Sequence, residues 1–274
     1  MSGLSSWPTG IHELAGLPFY TEGPAIDEDG NVYVTTISGR TIVKIDAEGN
    51  LSEWAKGGYP NGQIILPGGD HLVCDSKNAD IKRYNKDGTF LCNEINGCCA
   101  GEKVFTPNDL VADSRGNIYF TDSVRHMGKV CMFSVNGKER ILATDLDYPN
   151  GVALSQDEKW LFVAESYKNR VLKIDLTNKE KDNTSVLVDL PVNLSGKQTD
   201  NLPDGLTMSI DGTLWIAHYG MQAIHNYSTD GRFIRSYDTR LPLTSNLIFI
   251  DEKTLIITGG YAEPGPGKVL KVFL

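Results

Sequence analysis

The side chains most able to do chemistry recur in six short phrases, each at the end of a turn and just before an apolar run. The phrases are FYTEG, GYPNG, FTPND, DYPNG, NLPDG and PLTSN. A set of carboxylate and amide oxygens without thiols or imidazoles suits Ca²⁺, Mg²⁺ or Mn²⁺ better than a structural zinc ion. The six side chains with an oxygen at the corresponding position are Glu22, Asn61, Asn108, Asn150, Asp204 and either Ser245 or Asn246.

Turn formation is the other explanation for these phrases, because Asn, Asp and Ser after proline are common in turns. The two explanations differ in whether the six oxygens meet at one place. If they do, Glu22 and Asp204 repel each other in a poorly solvated position unless a cation lies between them. The fold that positions the phrases therefore decides between a metal site and ordinary turns.

One strand–turn–strand pattern recurs six times along the chain and organises it. Each copy is an apolar strand, a polar turn and a second apolar strand, as in GPAIDEDGNVYVTT from Gly23 and DLVADSRGNIYFTD from Asp109. Five copies are followed by a second hairpin with period-two alternation, which gives four strands per unit. Four-stranded sheets repeated around a channel are typical of a β-propeller.

The end of the chain indicates how the ring closes. The sixth unit stops at Leu274 after three strands, while residues 11–23 align with the fourth strand and connection at residues 51–62. We therefore predict an all-β, six-bladed β-propeller with four antiparallel strands per blade, completed by the N-terminal strand. Residues 1–274 are predicted to form a single domain. Residues 152–190 lack Gly and Pro, but the alternation in RVLKIDL favours strands over a helix there.

Strand direction brings two families of loops to one end of the channel, which we call the mouth. The first family is the six phrases, and the second includes the loops DSVRHMG, ESYKNR and HYGMQ. Two long connections, residues 93–107 and 191–203, lie on the same face and are expected to form a partial lid. His218 follows a strand, so a packed core position is the alternative for it. The second family supplies the candidate substrate-binding residues Arg125, His126, Tyr167, His218 and Tyr219.

In this register the chain resembles the senescence-marker-protein/gluconolactonase/luciferin-regenerating-enzyme family of six-bladed propellers over essentially its full length. The resemblance is carried by EGP at Glu22, PND at Asn108, PNG at Asn150 and PDG at Asp204, together with AESYKNRV and LWIAHYG. It implies one divalent ion held by Glu22, Asn150 and Asp204. It also implies that Asn108 is a fourth ligand or holds the substrate.

Two positions relate the chain to subgroups of that family. Vertebrate gluconolactonases have Arg two positions before the third-blade Asn, where this chain has Thr106. Thr106 is therefore a candidate substrate contact, and the resemblance does not extend to recognition of a hydroxyl-rich sugar lactone. The phrase PNDL is more similar to the bacterial lactonases of the family, in which an acidic residue beside the site is implicated. Asp109 is that residue in this chain.

The expected activity is that of a metal-dependent lactonase, a carboxylic ester hydrolase in which a divalent ion polarises the carbonyl and activates water. Asp204 is the first candidate for the general base, and Asp109 is the alternative. Ca²⁺ is the expected ion, with Mg²⁺, Mn²⁺, Zn²⁺ and Fe²⁺ as alternatives. Two other functions stay open. One is a phosphotriesterase or arylesterase at the same metal site, and the other is a non-catalytic propeller scaffold that binds a protein or peptide.

Composition and missing motifs argue against several other classes. With 35 acidic and 26 basic residues and no long Lys/Arg block, neither nucleic acid nor an anionic membrane is the expected partner. The sequence has no G-x-S-x-G, P-loop or H-E-x-x-H motif. Neither a signal peptide nor a membrane span is visible, so we expect a cytoplasmic monomer acting on a small lactone or ester. The five cysteines lack a C-x-x-C pair and are expected to be reduced thiols.

Overall fold

A computed structural model describes residues 4–8, 10–134, 136–178 and 183–274, which form a six-bladed β-propeller. Each blade is a four-stranded antiparallel sheet. The innermost strand of every blade contacts the innermost strands of both neighbouring blades, and the sixth blade returns to the first. The strands therefore surround a central channel, and the predicted fold class is confirmed.

Each blade extends from an innermost strand beside the channel to an outermost strand at the periphery. The innermost strands are β2 (Glu22–Ile26), β6 (Pro60–Ile65), β12 (Pro107–Ala112), β16 (Pro149–Leu154), β20 (Leu202–Met208) and β24 (Leu243–Phe249). The second strands are β3 (Val32–Thr36), β7 (His71–Asp75), β13 (Asn117–Asp122), β17 (Trp160–Glu165), β21 (Leu214–Tyr219) and β25 (Thr254–Gly260). The third strands are β4 (Thr41–Ile45), β8 (Asp80–Tyr84), β14 (Gly128–Ser134), β18 (Arg170–Asp175), β22 (Ala223–Tyr227) and β26 (Gly267–Phe273). The outermost strands are β5 (Leu51–Lys56), β9 (Phe90–Asn96), β15 (Glu139–Leu146), β19 (Thr184–Asp189), β23 (Phe233–Asp238) and β1 (Ile11–Leu17).

The N-terminal strand completes the sixth blade, as the alignment of residues 11–23 predicts. β1 pairs antiparallel with β26, from Ile11 opposite Val272 to Leu17 opposite Gly267. The first and last parts of the chain thus share one sheet. Because the ring is closed by this pairing, the blades around the channel have no open seam.

The Asp-x-x-Gly-Asn turns of the repeat have a direct structural cause. In the first blade, the Asp27 carboxylate accepts hydrogen bonds from the backbone N–H groups of Asp29, at 3.0 Å, and Asn31, at 2.9 Å. Gly30 adopts a φ of 81°, which a residue without a Cβ reaches at little cost. Asp113 makes the same bonds in the third blade. In these two blades, the local sequence therefore determines the turn at the far end of the innermost strand.

The hydrophobic core lies between neighbouring blades. Between the third and fourth blades, Val130 of β14 packs in one cluster with Leu161 and Val163 of β17. The alternation of side chains along a strand sends neighbours to opposite faces of the sheet. Val34 and Tyr33 of β3 accordingly belong to two different clusters, one on each side of the first blade.

Residues 152–190 form strands, as predicted, in the part of this run that the structure describes. The only helical turns among the described residues are two short 3₁₀ segments, η1 (Ser166–Lys168) and η2 (Gln198–Asp200). A small hairpin of β10 (Cys98–Cys99) and β11 (Glu102–Lys103) lies in the first long connection. No described helix is long and apolar enough to span a membrane. All five cysteines are free, which agrees with the predicted reduced thiols.

Buried His71 predicts a loss of stability in acid. It is 1% exposed, it packs against Trp54 and Tyr33, and burial lowers its pKa to about 4 from 6.5. Between pH 4 and pH 6.5, His71 is therefore protonated in the unfolded chain but neutral in the folded protein. This difference lowers the free energy of unfolding by about 2 kcal/mol at pH 5. Urea unfolding at pH 7 and pH 5 should show a larger loss in the wild type than in His71→Gln. Equal losses in both proteins would contradict this role for His71.

Candidate active site

Five predicted oxygen-bearing residues line one cavity of about 280 Å³ at the mouth. In each innermost strand, the pairing with the second strand shifts register at this position, for example between Pro107 and Leu110 of β12. Such a bulge bends the strand locally and re-aims a side chain. All five side chains are less than a tenth exposed, and they are Glu22, Asn61, Asn108, Asn150 and Asp204. We call these residues, with the equivalent position of the sixth blade, the upper ring.

The sixth position of the upper ring belongs to Ser245, and its side chain does not line the cavity. The ladder between β24 and β25 shifts register between Thr244 and Leu247, which puts Ser245 level with Asn108. The Ser245 hydroxyl donates a hydrogen bond to the carbonyl of Thr21 at 2.7 Å. Of the two residues that the sequence allowed for the sixth oxygen, Ser245 therefore does not face the mouth cavity, and Asn246 lines the channel one residue further along β24.

A second ring of residues closes the channel beneath the first. Four of its six positions are glycines, and a Cβ on Gly62 or Gly205 would collide with the side chain of Asp109 or Asn246. Asp109 and Asn246 come from opposite blades, and the Asn246 side chain lies close enough to the Asp109 carboxyl to oppose the rise in its pKa. This lower ring separates the mouth from a second cavity of about 270 Å³. The lower ring consists of Gly23, Gly62, Asp109, Gly151, Gly205 and Asn246.

The carboxyl groups of the two rings have raised pKa values. Burial raises the pKa of Glu22, and the charges of Asp204 and Asp109 add to that effect. Burial likewise raises the pKa of Asp204, with Asp109 and Glu263 as further negative neighbours, while a hydrogen bond from Asn150 acts in the opposite direction. Asp109 reaches a pKa of about 7 through burial. No Lys, Arg or His is among the described residues that line the mouth cavity, so these charges have no cationic partner there.

Tyrosines form the walls of the mouth. Tyr20 is 7% exposed, and its hydroxyl has no hydrogen-bond partner among the described residues. Tyr148 lines the cavity from a left-handed backbone with a φ of 64°, and its ring meets that of Tyr167 edge to face at 5.6 Å. The Tyr219 hydroxyl donates a hydrogen bond to Glu263 at 2.9 Å. The mouth is thus acidic at its floor and aromatic at its sides.

Glu263 and Tyr148 are site residues that the sequence-based selection of candidates missed. Glu263 lies in the loop between β25 and β26, which opens onto the same face as the other mouth loops. Tyr148 precedes Pro149 in the phrase DYPNG. Their membership of the two mouth loop families is the signal that could have identified them.

The remaining candidate substrate contacts fall in different places. Tyr167 and Tyr219 line the mouth cavity, and Thr106 lines an adjoining cavity of about 420 Å³ that also contains Lys77. The Arg125 guanidinium lies 3.5 Å from the centre of the Tyr167 ring and pairs with Asp147 at 2.6 Å. Arg125 therefore contacts a residue of the mouth without lining the mouth cavity itself.

Two candidate histidines lie away from the mouth cavity. His126 is exposed, and its ring nitrogen lies 3.4 Å from the Asp147 carboxylate. His218 is fully buried, with its Nδ1 atom 2.9 Å from Nε2 of His225 within the fifth blade. Of the two alternatives that the sequence left for His218, the packed position is the one observed.

The upper ring has the chemistry of an oxygen-only cation site. Among the described residues, no three His, Cys, Asp or Glu side chains are grouped closely enough to hold a metal ion. A cation at the mouth therefore depends on amide oxygens as well as carboxylates. The Asn61 Oδ1 atom is buried without a hydrogen-bond partner in the described structure. An unpaired amide oxygen beside two uncompensated carboxylates fits a hard divalent cation.

Comparison with known proteins gives one family for most of the chain. Residues 20–260 match the model of the SMP-30/Gluconolactonase/LRE-like region. A lactonase drp35 of Staphylococcus saprophyticus is 27% identical over 233 residues, covering 80% of this chain and 69% of its own length. A Sulfolobus acidocaldarius protein is 30% identical over 147 residues, and this chain spans about half of its length, 51%.

Solved structures share the fold at low identity. A gluconolactonase from Xanthomonas campestris superimposes with a TM-score of 0.82 at 22% identity, covering 96% of this chain and 89% of its own. A calcium-binding regucalcin from Agrobacterium tumefaciens gives a TM-score of 0.77 at 17% identity, covering 99% and 95%. At these identities the likeness concerns the propeller itself.

Proposed function

The chain belongs to the SMP-30/gluconolactonase/LRE-like family, and we propose that it opens lactone rings by hydrolysis at the mouth with one divalent ion bound there. The observation that carries the proposal is the upper ring. Glu22 and Asp204 share a cavity with three amides and have no cation among the described lining residues. Buried carboxylates in such a place are costly unless a cation compensates them. The similarity to bacterial proteins named lactonases supports the same activity.

The proposed ligands of the ion are Glu22, Asn150 and Asp204, with Asn108 as fourth ligand or substrate holder. Ca²⁺ is our first choice because all these donors are oxygen atoms and the site mixes charged and neutral ligands. Mg²⁺, Mn²⁺, Zn²⁺ and Fe²⁺ are the alternatives. When bound, a divalent ion supplies Lewis-acid polarisation of the substrate carbonyl and lowers the pKa of water.

Asp204 is the proposed general base. It lines the mouth, whereas Asp109 lies in the lower ring and accepts hydrogen bonds from the N–H groups of Leu110 and Val152. The water oxygen bonds to the lactone carbonyl carbon while Asp204 takes the proton that the water loses. The ring C–O bond then breaks, and the departing alkoxide receives that proton, which yields the open hydroxy acid. Such proton transfer contributes about 10²–10⁴ in rate.

The tyrosine walls position the substrate and limit water. Tyr148, Tyr167 and Tyr219 line the same cavity as Glu22 and Asp204. Apolar walls with a few polar groups are typical of small-molecule sites, and they hold the apolar part of a ligand. We therefore expect lactones with an alkyl or aryl substituent to bind better than polyhydroxylated ones.

Asn108→Ala is expected to raise KM for a lactone about tenfold and to change kcat by less than about threefold, because a substrate-holding residue contributes mainly to ground-state binding. Steady-state kinetics at saturating ion concentration measure both constants. Asn50→Ala, in an exposed turn, is the control. A fall in kcat together with weaker ion binding would instead make Asn108 the fourth ligand.

The experiment that tests the activity is a substrate comparison with the purified protein. Hydrolysis of γ- and δ-lactones is followed in a pH-stat with Ca²⁺ present, beside an aryl ester and an organophosphate triester. Turnover of lactones at a kcat/KM at least about tenfold above that of the other two substrates supports the proposal. Preference for the triester, or no turnover of any substrate, would overturn it in favour of a phosphotriesterase or a binding scaffold.

A further inference from the structure

A second pocket lies on the outer side of the propeller, against the fifth blade. It has a volume of about 450 Å³, and it shares no lining residue with the mouth cavity. One side is the start of the long connection after β19, at Pro191 to Leu194, and the other is the outer strand β23 with Phe233 and Ser236. The pocket is therefore separate from the proposed lactonase site.

The walls of this pocket are apolar and partly exposed to solvent. Val192 is 58% exposed, Leu194 is 86% exposed and Phe233 is 41% exposed. Large apolar side chains grouped at a surface commonly mark a site that binds something. None of the described residues lining the pocket carries a formal charge at neutral pH, since its one titratable base, His225, has a pKa lowered by burial to about 4.

The inner end of the pocket is polar. Ser236 and His225 line it, and the Ser236 hydroxyl lies 2.6 Å from Nδ1 of His225. The other ring nitrogen of His225, Nε2, lies 2.9 Å from Nδ1 of His218. The three side chains form one hydrogen-bonded row, which runs from the pocket into the interior of the blade. They are 7%, 1% and 0% exposed in that order.

The hydrogen bonds of this row can all be donated either from Ser236 towards His218 or from His218 towards Ser236. If Ser236 donates to His225, its oxygen has free lone pairs towards the pocket; if His225 donates to Ser236, the hydroxyl proton points to the pocket instead. Nε2 of His218, at the inner end, is buried without a partner among the described residues in both cases. Ser236 therefore offers a ligand either an acceptor or a donor, without any charge.

We propose that this pocket is a second binding site, which takes an uncharged and largely apolar small molecule whose single hydroxyl, carbonyl or N–H group hydrogen-bonds to Ser236. The apolar walls bury the body of the ligand. An ionic group is disfavoured because the described lining offers no charge to replace its hydration.

The test uses N-phenyl-1-naphthylamine, a neutral fluorophore with one N–H group, added to the full-length protein. Its fluorescence should rise with saturable binding, and Asp204→Asn should bind it as the wild type does. Phe233→Ser and Leu194→Ser should each weaken binding about threefold to tenfold, because both remove apolar wall. Ile234→Ser is the matched control, since Ile234 is 43% exposed on the same strand and does not line the pocket. Leu194 is so exposed that its replacement leaves the fold intact.

Competition defines the ligand class. 1-Naphthol should displace the fluorophore at a concentration about tenfold lower than 1-naphthalenesulfonate, and Ser236→Ala should reduce that preference. The proposal is overturned if Ile234→Ser weakens binding as much as Phe233→Ser, if the sulfonate competes as well as naphthol, or if no saturable binding occurs. It is also overturned if the protein is a dimer that Phe233→Ser makes monomeric, because a second copy would then occupy the pocket.

Discussion

Asp204→Ala is expected to lower kcat/KM for lactone hydrolysis by at least about 10²–10⁴-fold, because it removes the proposed base and a proposed ion ligand together. Asp204 combines a position at the mouth with burial among other carboxyl groups. Initial rates in a pH-stat, at several concentrations of lactone and of Ca²⁺, measure the loss. Full activity in this variant would contradict the assignment.

Two further variants separate the base from the ligand and from a general loss of structure. Asp204→Asn keeps one oxygen at the position and loses the proton acceptor, so its rate should fall while ion binding is retained in part. Without the ion, its melting temperature should exceed that of the wild type, because a buried carboxyl group with a raised pKa has been replaced. Asp109→Asn should keep at least about a tenth of the activity. If Asp109→Asn instead lost more lactonase activity than Asp204→Asn, Asp109 would be the base.

Removal of divalent ions is expected to abolish turnover and to lower the melting temperature. A ligand that binds only the folded state stabilises it by about 2.7 kcal/mol at a hundredfold excess over Kd. Calorimetry of the chelated protein, before and after Ca²⁺ is added back, measures the effect.

Matched variants show whether the thermal response comes from the mouth. Glu22→Gln should lose most of the response, because Glu22 is a proposed ligand. Glu252→Gln should keep it, because Glu252 is exposed in the turn between β24 and β25, at the opposite end of that blade. An identical response in both variants would place the ion elsewhere.

The fold could be predicted because its signals are local and repeated. In the third blade, the carboxylate of Asp113 and the positive φ of Gly116 fix the turn locally. Six strand–turn–strand units with apolar alternation leave few possible architectures. Ring closure was predictable for the same reason, since residues 11–23 repeat the pattern of a fourth strand. The extent of the single domain, residues 1–274, stays a prediction.

The site could be predicted less completely because side-chain direction depends on strand register. Ser245 and Asn246 both carry oxygens, and only the bulge between Thr244 and Leu247 decides which of them belongs to the upper ring. His218 is the last residue but one of β21, so the alternation of the strand still turns it into the blade. A pattern of residue types does not reveal such one-residue shifts.

The rim could be predicted least, because its loops have no periodic pattern. Glu263 reaches the mouth from the loop after β25, where its carboxylate accepts a hydrogen bond from the Tyr219 hydroxyl. Tyr148 reaches it through a left-handed backbone conformation that few non-glycine residues adopt. Both positions depend on tertiary contacts of the loops, and periodic patterns in the sequence do not reveal such contacts.

Metal analysis of the purified protein, followed by a lactone assay on that same preparation, tests the proposed metal-dependent hydrolysis most directly. We expect about one divalent ion per chain, loss of lactone hydrolysis on chelation, and recovery when Ca²⁺ or a related ion is restored. A protein that holds no ion, or that hydrolyses lactones equally well after complete chelation, would contradict it.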